Sequence, residues 1–443
     1  MKRLLLLTLL LPSTLLAQHT IKGIFSPPED YNVALLYRVT PSISEYVANS
    51  EVKKDGSFEF KLDSTAIKGV YRLVYAIPQE DYNFDIIYNG KEDIELSFNS
   101  ETGVKFLKSF ENKLLASYTN SMSLVTQSIG DYFSKAGQDT TALKAIFKTQ
   151  KETQESFEKK AQGSIALEFI KANRPYIPKK ALSVETYIEK LETHYFDYVD
   201  FSNKTLQSSS LLQEKMLNFI FGMSSKTKDE TQTYKDNIDV FCSKMKKAPV
   251  TVKRILLVDL WQQMADLGHD SVANYIAERY LIDIAKSLND QELLQTLVLF
   301  RDTSIGSKAP DFDIEVKKNG TLQIQKLSQL NLAKNYIVVF WSSTCSHCLD
   351  EIPKLYEFIK TQEKGSVKVV AVGLEDEPYK WKNLTYDMPN FIHVYGEGKW
   401  DNEIGDRYGV TSTPTYFILN EQKEIVAKPV LLEDLKAFFE NKE

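Results

Sequence analysis

The sequence holds three cysteines, and two of them, Cys345 and Cys348, stand three residues apart in W-S-S-T-C-S-H-C. Thiols at that spacing can form a redox couple, half of a metal clip, or a small structural disulfide. A disulfide across so short a loop restricts little of the unfolded chain, so its structural value is low. Zinc takes four ligands, and beyond Cys345, His347 and Cys348 no second Cys or His cluster is visible. Redox exchange needs only a nucleophilic thiolate with a second thiol in reach. An apolar run, Y-I-V-V-F-W, precedes the pair, and Leu349, Ile352, Tyr356 and Ile359 follow it as a stripe at helical spacing. A strand ending at Trp341 therefore delivers Cys345 to the start of a helix, where free N–H groups and the positive dipole end favour a thiolate. Cys345 is the expected nucleophile. Cys348, one turn on along the same face, is placed to resolve a mixed disulfide. His347 can donate a hydrogen bond to the Cys345 sulfur or, when protonated, set a positive charge beside it. Pro353 falls inside the helix and should kink it.

Around the pair, apolar runs alternate with helical patterns. A-P-D-F-D-I-E-V, a turn at Asn319-Gly320 and T-L-Q-I-Q predict a hairpin. Y-I-V-V-F-W, V-K-V-V-A-V, F-I-H-V-Y, T-Y-F-I-L and E-I-V-A predict strands separated by helices, an α/β domain whose central strands are apolar on both faces. Four ordered motifs, A-P-D-F (309–312), F-W-S-S-T-C-S-H-C (340–348), E-I-P (351–353) and G-V-T-S-T-P-T (409–415), resemble the thioredoxin superfamily, and within it the TlpA/ResA-like envelope thiol-disulfide oxidoreductases. The resemblance spans the last third of the chain. It implies a thioredoxin-like fold, a cis bond at Pro414 facing the disulfide, and a Thr413 backbone that bonds a substrate strand. Trp341, His347, Thr413 and Pro414 are the expected supporting residues. Two positions depart from thioredoxin itself: Val339 stands where that family has a buried Asp, and Thr344 where it has a Trp. In place of that Asp, the resemblance to ResA-like members implies proton transfer by a carboxylate just after the next strand, here Glu375 or Asp376. Peroxidases share A-P-D-F, but their reactive cysteine follows a Pro seven residues earlier, and Val338 stands there. No cofactor or metal is expected.

The chain begins with Met1, Lys2, Arg3, an apolar run over residues 4–11 and P-S-T-L-L-A before Gln18, the pattern of a secretory signal peptide over residues 1–17. The run is too short to span a bilayer. Periplasmic or secreted localisation is expected, with no lipid-bearing cysteine at the cut and no transmembrane segment afterwards. A formal charge of −6 argues against nucleic acid or anionic lipid as partner. Residues 18–102 alternate in short runs with Asp55-Gly56 and Asn89-Gly90 turns, which predicts a small antiparallel β-sandwich. Residues 104–300 hold five Gly and three Pro, and apolar residues recur at helical spacing, so residues 103–303 are expected to be all α, with helices near 231–247, 250–267 and 271–288. The aromatic stretch H-Y-F-D-Y-V-D-F at 194–201 reads as core rather than as a ligand face. The thioredoxin-like domain is expected over 304–443. These readings converge on an exported thiol-disulfide oxidoreductase acting on disulfide- or thiol-bearing envelope proteins, recharged by an unidentified electron donor or acceptor. The rival is an envelope binding protein in which the N-terminal blocks hold the partner and the thioredoxin-like domain is secondary.

Overall fold

The computed structural model describes residues 19–440 apart from 41–42, 64, 80, 136–138, 224–228 and 319–320. The expected leader and the Asn319-Gly320 turn lie outside the described residues. Two compact units form, Met1–Asp259 and Leu260–Glu443.

The first unit opens with strands β1 (His19–Ser26), β2 (Val33–Thr40), β3 (Ile43–Glu51), β4 (Ser57–Leu62), β5 (Gly69–Val74), β6 (Asn83–Tyr88), β7 (Ile94–Asn99) and β8 (Gly103–Lys108). They build two sheets, ordered β4-β1-β7-β8 and β3-β2-β5-β6. Period-two patterning explains why both turn one face inward: in β4, Phe58, Phe60 and Leu62 are buried while Glu59 and Lys61 are exposed. Phe25 and Phe98 from one sheet and Leu36 and Leu73 from the other join a single core.

Three features differ from the sequence expectation. β1 pairs with β7 in parallel, Ile21 opposite Ile94, because no short hairpin joins these strands to impose the antiparallel sense. The Asp55-Gly56 and Asn89-Gly90 turns do use left-handed glycines, with φ +80° and +69°. Each nonetheless carries the chain from one sheet to the other. The connections, residues 52–56 and 89–93, are longer than the two-residue loop that enforces a hairpin. Finally, β8 pairs with β7, so the β-rich part runs to Lys108, beyond residue 102.

Helices come next: α1 (Phe110–Ser134), α2 (Thr140–Lys160), α3 (Ala166–Ala172), α4 (Val184–Thr193), α5 (Lys204–Gln207), α6 (Leu211–Gly222), α7 (Glu230–Lys244) and α8 (Val250–Asp266). Side-chain caps start several of them, with Ser109 accepting from the Asn112 N–H before α1 and Asp139 accepting from two N–H groups before α2.

The second compact unit begins inside α8, upstream of the expected boundary at residue 304. It includes α9 (Asp270–Ile276), a π-helical turn (Ala277–Leu281), α10 (Ile282–Leu288) and α11 (Gln291–Thr303). Side chains explain why these helices belong with the C-terminal segment. Asp270 accepts from the Ile305 N–H at 3.0 Å and pairs with Lys428 at 3.3 Å, and the Lys428 ammonium lies over the Phe300 ring.

Beyond α11 come the β9 (Asp313–Lys318) and β10 (Thr321–Lys326) hairpin, then β11 (Asn335–Trp341), α12 (Ser346–Thr361), β12 (Val367–Glu375), α13 (Pro378–Thr385), β13 (Ile392–Glu397), α14 (Glu403–Arg407), β14 (Thr415–Asn420), β15 (Ile425–Ala427) and α15 (Leu432–Glu440). One mixed sheet orders β13-β12-β11-β14-β15, with β11 parallel to β12 and antiparallel to β14. β11 is apolar on both faces because both are covered: Tyr336, Val338 and Phe340 enter one core, Ile337, Val339 and Trp341 the other. No helix among the described residues is long and apolar enough to cross a membrane.

Candidate active site

Three residues separate the end of β11 from Cys345, which caps the N-terminus of α12. Its Sγ accepts the Cys348 N–H at 3.1 Å and lies 3.3 Å from the Thr413 carbonyl. The Thr413–Pro414 peptide is cis, as the resemblance implies. Both sulfurs are thiols; Cys345 is half-buried and Cys348 fully buried. Burial pushes the Cys345 thiol up, but hydrogen bonds from the Cys348 side chain and from the Cys348 and His347 N–H groups outweigh it, so its pKa lies below the ordinary thiol value. Burial, reinforced by the adjacent Cys345 sulfur, leaves Cys348 pushed up to about 12. One sulfur is therefore a reachable thiol whose ionised form is stabilised, and its neighbour a buried thiol held protonated. The split follows from the helix start, because the first-turn N–H groups converge on the capping atom and on nothing deeper in the helix.

Trp341 is buried at the end of β11 and shares the core that holds Cys348, Ile352 and Leu355 beneath the site. His347 is exposed, and its imidazole turns along α12 instead of toward sulfur, with Nε2 3.2 Å from Glu351 Oε1. It is the His347 backbone N–H, and not the ring, that helps lower the Cys345 pKa. Glu351 escaped the sequence reading. It is 8% exposed, belongs to the buried face of α12 with Cys348, Ile352 and Leu355, and accepts the Tyr416 O–H at 2.7 Å. A signal was present: an acidic residue three after Cys348 and four after His347 interrupts an apolar helix face.

The two carboxylates after β12 have separate fates. Glu375 is buried, and its carboxylate accepts the Ser343 N–H and, at 2.8 Å, the Ser343 O–H. It holds the loop that precedes Cys345; its hydrogen bonds go to that loop and not to the sulfur. Asp376 is exposed and sits 3.9 Å from the Lys399 ammonium. Lys399 in turn donates to Thr344 Oγ1 at 3.2 Å, pinning the residue before Cys345 from a second side. Nothing in the sequence links Lys399 to Thr344, since the two come from distant segments. Among the described residues no three His, Cys, Asp or Glu side chains are grouped to hold a metal ion.

Comparison with known proteins agrees with this geometry. Residues 333–425 match the family model described as thioredoxin-like. The chain is similar to the thiol-disulfide oxidoreductase ResA of Bacillus thuringiensis (strain Al Hakam), 30% identical over 132 residues, which covers 28% of this chain and 67% of that protein. ResA of Bacillus subtilis (strain 168) is 26% identical over 128 residues, 28% of this chain and 65% of that protein. The chain thus spans slightly less than two thirds of the Bacillus subtilis relative. Among solved structures, a thioredoxin-like protein from Bacteroides caccae, 18% identical, aligns with 61% of this chain and 98% of its own at a TM-score of 0.31.

Proposed function

We propose, because the chain belongs to the thioredoxin-like thiol-disulfide oxidoreductases, that its Cys345/Cys348 pair reduces or exchanges disulfides of other proteins. The observation that carries this reading is the inequality of the two sulfurs, one capping a helix N-terminus within reach of solvent, the other buried one turn on. The Cys345 thiolate attacks one sulfur of a client disulfide, and the client's other sulfur leaves as a thiolate. Cys348 then gives up its proton and attacks Cys345 Sγ, which releases the second client thiol and leaves Cys345–Cys348 as the disulfide. The client gains two electrons and two protons, and an external dithiol reverses the change. Glu351, on the Cys348 face of α12, is the carboxylate suited to take the Cys348 proton, in place of Glu375 or Asp376. The half-buried Thr413 backbone beside the cis Pro414, next to the Cys345 sulfur, suits a client strand.

The leader pattern at residues 1–17 supports export, and clients in the envelope follow from it. The two sheets that share the Phe25–Leu36–Leu73–Phe98 core support a β-sandwich in the N-terminal block. That block and the helices after it are suited to choosing which client reaches Cys345.

The cysteine roles are tested by trapping. Cys348→Ser leaves the mixed disulfide unresolved, so covalent client adducts accumulate on the full chain; Cys345→Ser yields none. Adducts formed through Cys345→Ser would reverse the assignment.

A further inference from the structure

Within the unit Met1–Asp259, a cavity of about 600 Å³ gathers cations from separate chain segments. Lys144, Lys148 and Lys151 of α2 line it. Their i, i+4, i+7 spacing sets them on one face, ~6 Å and then ~4.5 Å apart along the axis. Arg174 and Lys179 reach it from the segment between α3 and α4. Asp197 is the lining carboxylate, and it is already engaged, 2.5 Å from His194 Nδ1 and 3.3 Å from Lys244 Nζ. Lys148 and Lys151 meet Glu152 and Glu155 only at 3.7 Å on the exposed surface, a geometry that binds weakly. Among the described residues no carboxylate pairs with Lys144 or Lys179. Arg174 is paired with Glu158 at 3.3 Å, so the cavity owes its positive character to the four lysines, in a chain whose formal charge is −6.

Aromatic rings stand beside the charges. Tyr176 and His194 stack at 4.7 Å with planes 10° apart, and the Arg174 guanidinium lies over Tyr198 at 5.0 Å. The stretch H-Y-F-D-Y-V-D-F is thus divided: Phe196 and Phe201 enter the core against Phe241, while His194, Asp197 and Tyr198 face the cavity. A lysine-rich helix face is ordinarily only a solvated face. Here the cations of two segments surround a concavity of ligand size, and Arg174 and the His194 ring are half-buried against tyrosine rings.

We propose that this cavity binds an acidic oligosaccharide, its successive carboxylates meeting the lysines of α2 and its ring faces lying on Tyr176 and Tyr198. The stepped spacing of the lysines suits one anionic group per ring of a linear chain. A phosphate anhydride chain sets its charges closer together and offers no ring face to the tyrosines.

Titration calorimetry of the full chain with trigalacturonate, maltotriose and tripolyphosphate at low ionic strength tests this. Trigalacturonate binds and maltotriose does not. The Lys144→Gln/Lys148→Gln double variant weakens trigalacturonate at least tenfold, and Tyr176→Ala weakens it several-fold. Both lysines are exposed, so the double variant keeps the parent melting temperature. Absence of trigalacturonate binding, or unchanged affinity in the double variant, overturns the site. Tripolyphosphate binding as tightly as trigalacturonate, with Tyr176→Ala without effect, overturns the assignment to a sugar.

Discussion

Alkylating the reduced chain at pH 7 turns the inequality of the two thiols into a ratio of rates. Cys348, pushed up to about 12, is ionised at that pH in about one molecule in 10⁵. A thiol with a pKa of ~9 is about 1% ionised. Cys345 lies below that, so its thiolate outnumbers that of Cys348 by more than about 1,000-fold. A more basic thiolate is the better nucleophile. A Brønsted slope of ~0.4–0.5 across roughly 3 pKa units returns about 20–30-fold to Cys348. Ionisation therefore wins by more than about 30-fold before access is counted, and Cys348 is 0% exposed. A timed pulse of iodoacetamide, an acid quench and fragmentation of the peptide carrying both cysteines reads which sulfur is labelled first. Cys345 takes the label about 30-fold faster or more, at a rate that climbs with pH until its own pKa and then levels. First labelling at Cys348, or rates within a few-fold of each other in a natively folded chain, would refute the helix-start argument.

The same inequality makes the reduced protein sensitive to alkali. Cys348 has its folded pKa raised, so its contribution to stability is complete below the unfolded value of ~8.5 and is lost as pH rises toward the folded one, at about 1.4 kcal/mol per pH unit. Denaturation of the reduced chain at pH 8 and pH 10 should show that loss, and Cys348→Ser should flatten it; equal slopes in both proteins contradict the assignment. Glu375→Ala strips the Ser343 N–H and O–H of their buried acceptor and should cost about 2–3 kcal/mol, read as a lower denaturant midpoint, whereas an unchanged midpoint would mean that the loop holds itself. Gly373→Ala places a Cβ 2.0 Å from Trp381 Nε1 across β12, so about 1–3 kcal/mol of overpacking is expected, with altered tryptophan fluorescence. A variant with parent stability and spectrum would show that Trp381 has room to move.

Much of the redox site was legible because its chemistry is local. The C-x-x-C spacing, the apolar strand before it and the apolar helix stripe after it lie in one stretch from Tyr336 to Ile359, and helix geometry alone sets Cys345 at the N-terminus with Cys348 one turn inward. The buried strands of the C-terminal sheet were readable for a related reason, since a strand covered on both faces must be apolar at every position. The helices announced themselves through period and through scarcity of Gly and Pro.

The amino-acid order by itself thus determined the element types and the polarity of the two thiols. Tertiary structure decided which distant groups meet. Glu375 and Asp376 are neighbours in sequence, yet one is buried on the Ser343 loop and the other is solvated beside Lys399. Glu351 gains its tyrosine partner only when β14 brings Tyr416 against α12. The Asp55-Gly56 and Asn89-Gly90 turns encode left-handed glycines but not the sheet that the next strand joins, because that choice is made by the shared core around Phe25 and Leu36. Likewise β1 and β7 become neighbours because both bury one face in that core, and are free to run parallel because no short hairpin joins them, conditions no pattern within either strand contains. Periodicity reports the environment of a face; the identity of the element that covers that face is a property of the whole folded chain.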